Sequence, residues 1–262
     1  MDSQFTCPGC GGSADLKSER CPYCGSRFVP DLGPCSGPGS GPAAARKQAA
    51  VLEAKSAKAP KNGQAYLELG QAYHQAGDYG KAQDALDKAA SLLPQEPQVF
   101  LLSAWNIGIM RGWEKSGVLD NARRVLDLDE TSAAAQALIH LNKGMTEYLC
   151  DNTVLHAKLA VAEFVAATKA DPKNTYGFFM TGCVAEELDE FELAAQYLQK
   201  AADLSGADDA PGREDARVFA RAGNALLRIG DKENAKTYLA RALKLDPDND
   251  AARALLASTA GA

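Results

Sequence analysis

The stretch from Gln64 to Pro94 constrains the fold most, because its residue spacing returns along the rest of the chain. Aromatic, leucine and small residues follow a three-to-four spacing on two successive segments, which predicts two helices that each have one apolar face. Gly77 supplies a helix stop between the two segments, and Pro94 ends the second one. A single helix pair cannot bury both of its apolar faces, so the pattern predicts a stack of such pairs.

Three copies of this pattern are clear. The first copy has, in order, Tyr66, Leu69, Gly70, Tyr73, Ala82, Leu86, Ala89 and Pro94. A copy near the carboxyl terminus has Phe219, Gly223, Leu226, Gly230, Ala235, Leu239, Ala242 and Pro247. Another has Phe178, Gly182, Ala185, Ala194, Leu198 and Ala201. The order of aromatic, small and leucine residues resembles the tetratricopeptide repeat (TPR) family.

The resemblance implies an all-α fold, a right-handed helical solenoid of about five helix pairs plus a capping helix. We expect a solenoid domain at 63–262, with repeats at about 63–96, 97–132, 133–174, 175–208 and 216–249 and the capping helix at 250–258. The second and third repeats are degenerate. About two residues are inserted near Arg111 to Ser116, and roughly eight near Tyr148 to His156, where we expect longer helices.

In the TPR family the first helix of each pair lines a concave groove, so the resemblance implies a partner peptide or helix bound there. The groove positions would be Leu67, Gln71, Leu101, Trp105, Ile109, Leu141, Met145, Tyr176, Phe179, Arg217 and Asn224, with His74, Cys183, Glu186, Glu187 and Arg228 beside them. The middle of this set is apolar, which favours an amphipathic helix as ligand. Two alternatives stay open: Trp105 and Phe179 belong to the core, or the chain's own amino-terminal segment fills the groove.

Two near-identical CPxCG motifs lie within residues 1–28, and their cysteines are Cys7, Cys10, Cys21 and Cys24. Two residues between cysteines let both thiolates face one ion, and two such turns complete a tetrahedral site. The motifs resemble the zinc-ribbon family and predict one structural zinc ion, with a short hairpin arm between Gly11 and Arg20. A weaker alternative is a redox or metal-relay protein that uses the CxxC pairs.

The segments that follow the cysteine motifs predict a tether and a helix. Residues 29–42 read VPDLGPCSGPGSGP, a composition typical of a flexible linker. Residues 43–62 predict a basic helical lead-in, in which Arg46, Lys47, Lys55 and Lys58 outnumber Glu53. This basic helix favours an alternative function, a nucleic-acid-associated regulator. Three basic and three acidic residues leave 1–28 without net charge, which counts against that function.

Charge, hydropathy and motif content argue against several classes of function. A net charge of -6 argues against general coating of nucleic acid. No run of about twenty apolar residues predicts a membrane span, and the amino terminus lacks the features of a secretory signal. Cysteine pairs suited to a metal indicate a reducing cytoplasm. No catalytic motif is present, so the leading hypothesis is a non-enzymatic cytoplasmic adaptor that binds protein through the groove, with the zinc ribbon as a second contact module.

Overall fold

The structure is a computed structural model of the 262-residue chain, and it describes residues 4–6, 13–15, 43–150, 153–205 and 215–259. These residues form one two-stranded hairpin, of β1 (Gln4–Thr6) and β2 (Ser13–Asp15), and twelve helices. The helices are α1 (Ala43–Lys58), α2 (Gly63–Gln75), α3 (Tyr79–Leu92), α4 (Pro97–Arg111), α5 (Ser116–Leu128), α6 (Ala133–Cys150), α7 (Val154–Ala170), α8 (Thr175–Glu187), α9 (Phe191–Ser205), α10 (Asp215–Arg228), α11 (Lys232–Leu245) and α12 (Asp250–Ser258).

The described residues fall into two compact units. Unit I takes its residues from Gly33–Met145 and Lys169–Asp171, and unit II from Met1–Leu32, Thr146–Thr168 and Pro172–Ala262. In unit I each helix from α1 to α4 packs against the next one, and in unit II the same holds from α8 to α11. Stacked helix pairs, as the sequence predicts, are therefore present in α2–α5 and α8–α11, and α12 packs after α11. No described helix combines the length and the apolar composition needed to cross a membrane.

Paired helices approach most closely where a glycine on the first helix meets a leucine on the second. A β-carbon on Gly70 would lie 2.8 Å from Leu86 Cγ, closer than side-chain carbons come in folded proteins. The same contact recurs in unit II, where the corresponding distances are 2.5 Å for Gly182 with Leu198 and 2.6 Å for Gly223 with Leu239. The two residues are sixteen positions apart each time. Glycine at these crossings sets the distance between the paired helices.

The turn inside each of these three pairs uses a residue in the left-handed region. Gly77 has φ 75° between α2 and α3, and Gly230 has φ 84° between α10 and α11. Between α8 and α9 the corresponding residue is Asp189, with φ 60°. Backbone N–H groups just after the turn donate to carbonyls of the first helix's last turn, such as Asp78 N to Tyr73 O at 2.9 Å. This bonding satisfies the carbonyls that a helix end leaves open.

The second and third pairs depart from the regular pattern in two ways. In the α4–α5 pair, the glycine–leucine places hold Ala104 and Ala122, which are both fully buried. The α4–α5 connection, residues 112–115, contains the expected insertion. In the third pair α6 has 18 residues and α7 has 17, against 13 and 14 in α2 and α3. The extra residues there lengthen the two helices.

The amino-terminal hairpin pairs Gln4 with Asp15, Phe5 with Ala14 and Thr6 with Ser13 in antiparallel register. The strand β2 lies within the segment expected to form a hairpin arm, but its partner β1 precedes the first cysteine motif. In the sequence, that motif therefore lies between the two strands. Cys7, Cys10, Cys21, Cys24 and the 29–42 linker are outside the described residues.

The basic lead-in segment is helical as α1, and it packs on α2 through one narrow face. That face consists of Ala45, Ala49 and Leu52, which are buried. Arg46, Lys47, Lys55 and Lys58 are exposed. Lys55 Nζ lies 3.1 Å from Glu68 Oε2 on α2. An exposed pair of this kind contributes little to stability, so burial of the alanine face holds α1 in place.

We predict that Gly223→Ala destabilises the protein by about 1 to 3 kcal/mol, because the new methyl group overpacks the contact with Leu239. Gly80→Ala is the matched control. Gly80 lies inside α3 with open space around it, so alanine there is expected to be neutral or to stabilise by up to about 1 kcal/mol. Urea unfolding followed by circular dichroism measures both. Equal free energies of unfolding for the two variants would contradict the crossing contact.

Candidate functional site

The predicted groove residues of unit I differ in how far their side chains are buried. Gln71, Leu101, Trp105 and Ile109 are half-buried and reach the surface. Three others do not: Leu67, Leu141 and Met145 have 1% or less of their surface exposed. Leu67 packs in a cluster with Leu86, Ala89 and Val99. The prediction that Leu67, Leu141 and Met145 face an open groove is therefore wrong, because all three belong to the core.

The predicted residues of unit II divide in the same way. Tyr176, Arg217 and Asn224 are half-buried. Phe179 is 2% exposed, so it is a core residue, as one of the two alternatives from the sequence held. Cys183 is fully buried, and this burial raises the pKa of its thiol to about 12. A thiol with such a pKa stays protonated at neutral pH.

Three half-buried apolar residues of α4 form the candidate site, which we call the α4 surface. They are Leu101, Trp105 and Ile109, spaced four residues apart along one side of the helix. The ring of Trp105 meets the ring of Trp113 edge to face, with centroids 4.8 Å apart at 84°. Such a contact fixes the orientation of an aromatic side chain that is otherwise free to rotate.

Trp113 is held in place from two sides. It comes from the inserted α4–α5 connection, and its ring covers Gly108, where a β-carbon would lie 2.5 Å from the ring. Gly112 begins the connection with φ 112°, a conformation that favours glycine. From α6, Asn142 Nδ2 donates to the carbonyls of Trp113, at 2.7 Å, and Lys115, at 3.2 Å. The insertion is thus an ordered support for Trp105.

A polar network beneath the α4 surface joins α4 to α2 and α3. Asn106 is fully buried, and its Nδ2 donates to Tyr79 O at 2.9 Å and to Gln83 Oε1 at 3.0 Å. Gln83 Nε2 in turn donates to Ser103 Oγ at 2.8 Å. A buried amide with satisfied partners fixes the register of the helices it joins. The network holds the residue next to Trp105 in a single position.

His74 completes this network on α2. Its Nδ1 lies 3.2 Å from Asn106 Oδ1, and this oxygen only accepts, so Nδ1 carries the hydrogen. Burial lowers the pKa of His74, and the hydrogen bond to Asn106 opposes that effect more weakly. His74 is therefore neutral at pH 7 and acts as a hydrogen-bond donor within the network.

The corresponding surface of unit II is polar, and its charges are paired. Glu186 of α8 accepts from Arg221 Nη1 at 2.8 Å and from Asn224 Nδ2 at 3.2 Å, both on α10. The guanidinium of Arg228 lies over the ring of Phe191, 4.3 Å from its centroid. Paired groups of this kind cost desolvation energy when a ligand covers them. The α4 surface is accordingly the better candidate for burying a partner.

Sequence reasoning missed Trp113, Asn142, Asn106 and Arg221. Arg221 follows Arg217 by one helical turn and could have been found from that spacing. Trp113 and Asn142 had no such signal, since one lies in an insertion and the other at an irregular repeat.

In the described parts of the chain, no group of three or more His, Cys, Asp or Glu side chains is placed to hold a metal ion.

Comparison with known proteins identifies two tetratricopeptide repeats. Residues 63–96 and 216–249 both match the tetratricopeptide repeat family, and they cover the α2–α3 and α10–α11 pairs. These matches confirm the predicted repeats in the two segments. No curated protein matches the chain.

Solved structures, two of them of TPR proteins, share the fold. A thermophilic TPR protein from Thermus thermophilus aligns with a TM-score of 0.54 and 18% identity, over 76% of this chain and 98% of that one. A TPR protein from Parabacteroides merdae gives 0.58 and 12%, over 83% and 78%. A chain of the APC/C hetero-tetramer Cut9–Hcn1 gives 0.59 and 16%, over 82% of this chain but only 39% of that one. The described helices thus form a TPR-like solenoid.

The lowered pKa of His74, a partly buried residue, predicts a pH dependence of stability. The unfolded chain binds a proton at His74 near pH 6.5, whereas the folded chain does so only at lower pH. Protonation therefore favours unfolding, and the free energy of unfolding falls as the pH drops below about 6.5, by at most about 1.4 kcal/mol per pH unit from this group. Urea unfolding at several pH values between 7.5 and 5 measures the slope.

His74→Gln is the control for this prediction, because an amide can still donate to Asn106 but does not titrate. We expect a shallower loss of stability in the variant than in the wild type over the same pH range. Identical slopes in the two proteins would show that His74 titrates alike in the folded and unfolded chains and would contradict a lowered pKa in the folded chain.

Proposed function

We propose that this chain is a non-enzymatic adaptor that binds an apolar segment of a partner protein on the α4 surface. Tetratricopeptide repeats generally mediate protein–protein interactions, and two segments of the chain match that family. The observation that carries the proposal is Trp105, a large aromatic side chain that is oriented by Trp113 yet still reaches the surface. Aromatic residues held rigidly in this way are typical anchors of protein interfaces.

The chemistry of the α4 surface indicates the kind of segment it binds. Leu101, Trp105 and Ile109 present an apolar strip along successive helical turns. A partner helix with apolar residues on one face fits such a strip, because its own residues repeat with the same spacing. The strip carries no charge, so binding there is expected to depend little on salt.

A peptide-display selection on the full chain tests this function, using a library of amphipathic helical peptides. We predict that Trp105→Ala raises the Kd of the selected peptides by about 30-fold, the size of effect typical of a central aromatic anchor. Leu92→Ala is the control, because Leu92 is an exposed apolar residue of α3 and does not belong to the α4 surface. Isothermal titration measures the affinities. Peptides that bind both variants as tightly as the wild type would overturn the assignment.

We further propose that the amino-terminal segment is a zinc-ribbon module that supplies a second contact. The donor set of Cys7, Cys10, Cys21 and Cys24 fits Zn²⁺, which prefers four thiolates in a closed tetrahedral site. The β1–β2 hairpin supports this reading, since it brings together the two ends of the segment that holds the first cysteine pair. When bound, the ion supplies folding energy to a segment with little core of its own. Thiolate ligands also need a reducing compartment, so we propose a cytoplasmic location.

Elemental analysis of the purified full chain tests the zinc proposal. We expect one zinc ion per chain, and we expect the Cys7→Ser/Cys10→Ser double variant to lose it. Cys150→Ser is the control, because Cys150 is an exposed cysteine of α6 outside the motifs. Metal-free wild-type protein, purified under reducing conditions without chelators, would exclude a zinc site. Retention of zinc in the double variant would exclude these ligands.

A further inference from the structure

Helix α7 is apolar on two opposite faces. One face is buried through Ala157, Ala160, Phe164 and Ala167, all of which are at most 1% exposed. A helix that covers the core of a globular protein normally has polar residues on its other face. The sequence VLHAKLAVAEFVAATKA does not follow this rule, so the second face needs an explanation.

The second face is an apolar stripe that no described residue covers fully. It consists of Leu155, Leu159, Ala162 and Ala166, and we call it the α7 stripe. Leu155 is 64% exposed and Leu159 is 43% exposed. Ala162 is also exposed, and Ala166 is half-buried. At 100° per residue, the stripe lies on the side of the helix opposite to Phe164. An exposed apolar strip of this length marks a contact surface.

The spacing within the stripe is that of a helix–helix seam. Its residues follow one another after four, three and four positions, which matches the two core positions of a heptad repeat. Leucines occupy the first two places and alanines the last two. Alanine lets a second helix backbone approach closely, so the stripe fits one neighbouring helix along its length.

The charged residues beside the stripe identify the neighbour. Lys158 lies on one side of it and Glu163 on the other, at the two heptad positions that flank a seam. When two identical helices pair in parallel, the residue that flanks the seam on the side of Lys158 faces the residue five positions later on the other helix. Lys158 and Glu163 are five positions apart. A second copy of α7 therefore matches both charges, because two Lys158–Glu163 pairs form about the two-fold axis.

We propose that the chain self-associates through the α7 stripe, with two copies of α7 packed in parallel about a two-fold axis. The contact is isologous, as in most homodimers, and it leaves no uncovered stripe on either copy. This proposal goes beyond the adaptor function and does not depend on it, because the α7 stripe shares no residue with the α4 surface. A dimer presents two α4 surfaces and so binds a partner with two sites more tightly.

Sedimentation equilibrium of the full chain at protein concentrations from about 1 to about 200 µM tests the proposal. The wild type is expected to shift from monomer to dimer over this range. Leu159→Glu is expected to remain monomeric, and since Leu159 is partly exposed the variant should fold, which circular dichroism checks. Val51→Glu, at an exposed apolar residue of α1, is the matched control and should dimerise like the wild type.

Charge reversal distinguishes a second copy from any other occupant. Lys158→Glu alone and Glu163→Lys alone each place like charges opposite one another, so each should weaken the homodimer by roughly tenfold. An equimolar mixture of the two variants should restore dimerisation. In the mixed dimer, positions 158 and 163 of the two chains carry opposite charges at both contacts. A wild-type monomer throughout the range would overturn the proposal, as would single reversals without effect. A mixture that stays as weak as its components would overturn the parallel two-fold arrangement.

Discussion

The close approach of paired helices at a glycine–leucine contact is the constraint on which the rest of the structure depends. A leucine of the second helix fills the space that a side chain would otherwise occupy at Gly70, Gly182 or Gly223. This contact fixes how far apart the two helices of a pair lie, and the tight turn after the first helix fixes their direction. Because the second helix covers one face of the first, only the opposite face and its edges can reach a ligand.

The candidate binding surface arises where this constraint is relaxed. In the α4–α5 pair an alanine replaces each member of the glycine–leucine contact, and four residues connect the helices. The longer connection brings Trp113 over Gly108, and Trp113 orients Trp105. The irregular repeat thus lacks the regular turn and has instead a rigidly held aromatic side chain at its surface. In unit II the regular α8–α9 and α10–α11 pairs leave a polar surface, where Glu186 is neutralised by Arg221.

The repeating pattern made most of the helical fold predictable, because three helix pairs repeat the same small, leucine and aromatic positions. The pattern could not predict which of these side chains are buried. Leu67 and Phe179 lie at positions that face a groove in the family, yet both are buried, since burial depends on neighbouring helices that one repeat does not encode. The supports of Trp105 were also unpredictable, because Trp113 and Asn142 lie where the pattern is interrupted. The zinc ligands follow from cysteine spacing alone and remain a prediction.

The most direct test of the central claim, that partners bind on the α4 surface, is site-specific photo-crosslinking in the native cell. A photoreactive amino acid at position 101 places the probe on the α4 surface, and the same amino acid at position 92 places it on the exposed side of α3. We predict that the probe at 101 crosslinks to a discrete partner that the probe at 92 does not reach, and that Trp105→Ala removes this product. Crosslinking of the same partner from both positions, or its persistence in Trp105→Ala, would contradict the claim.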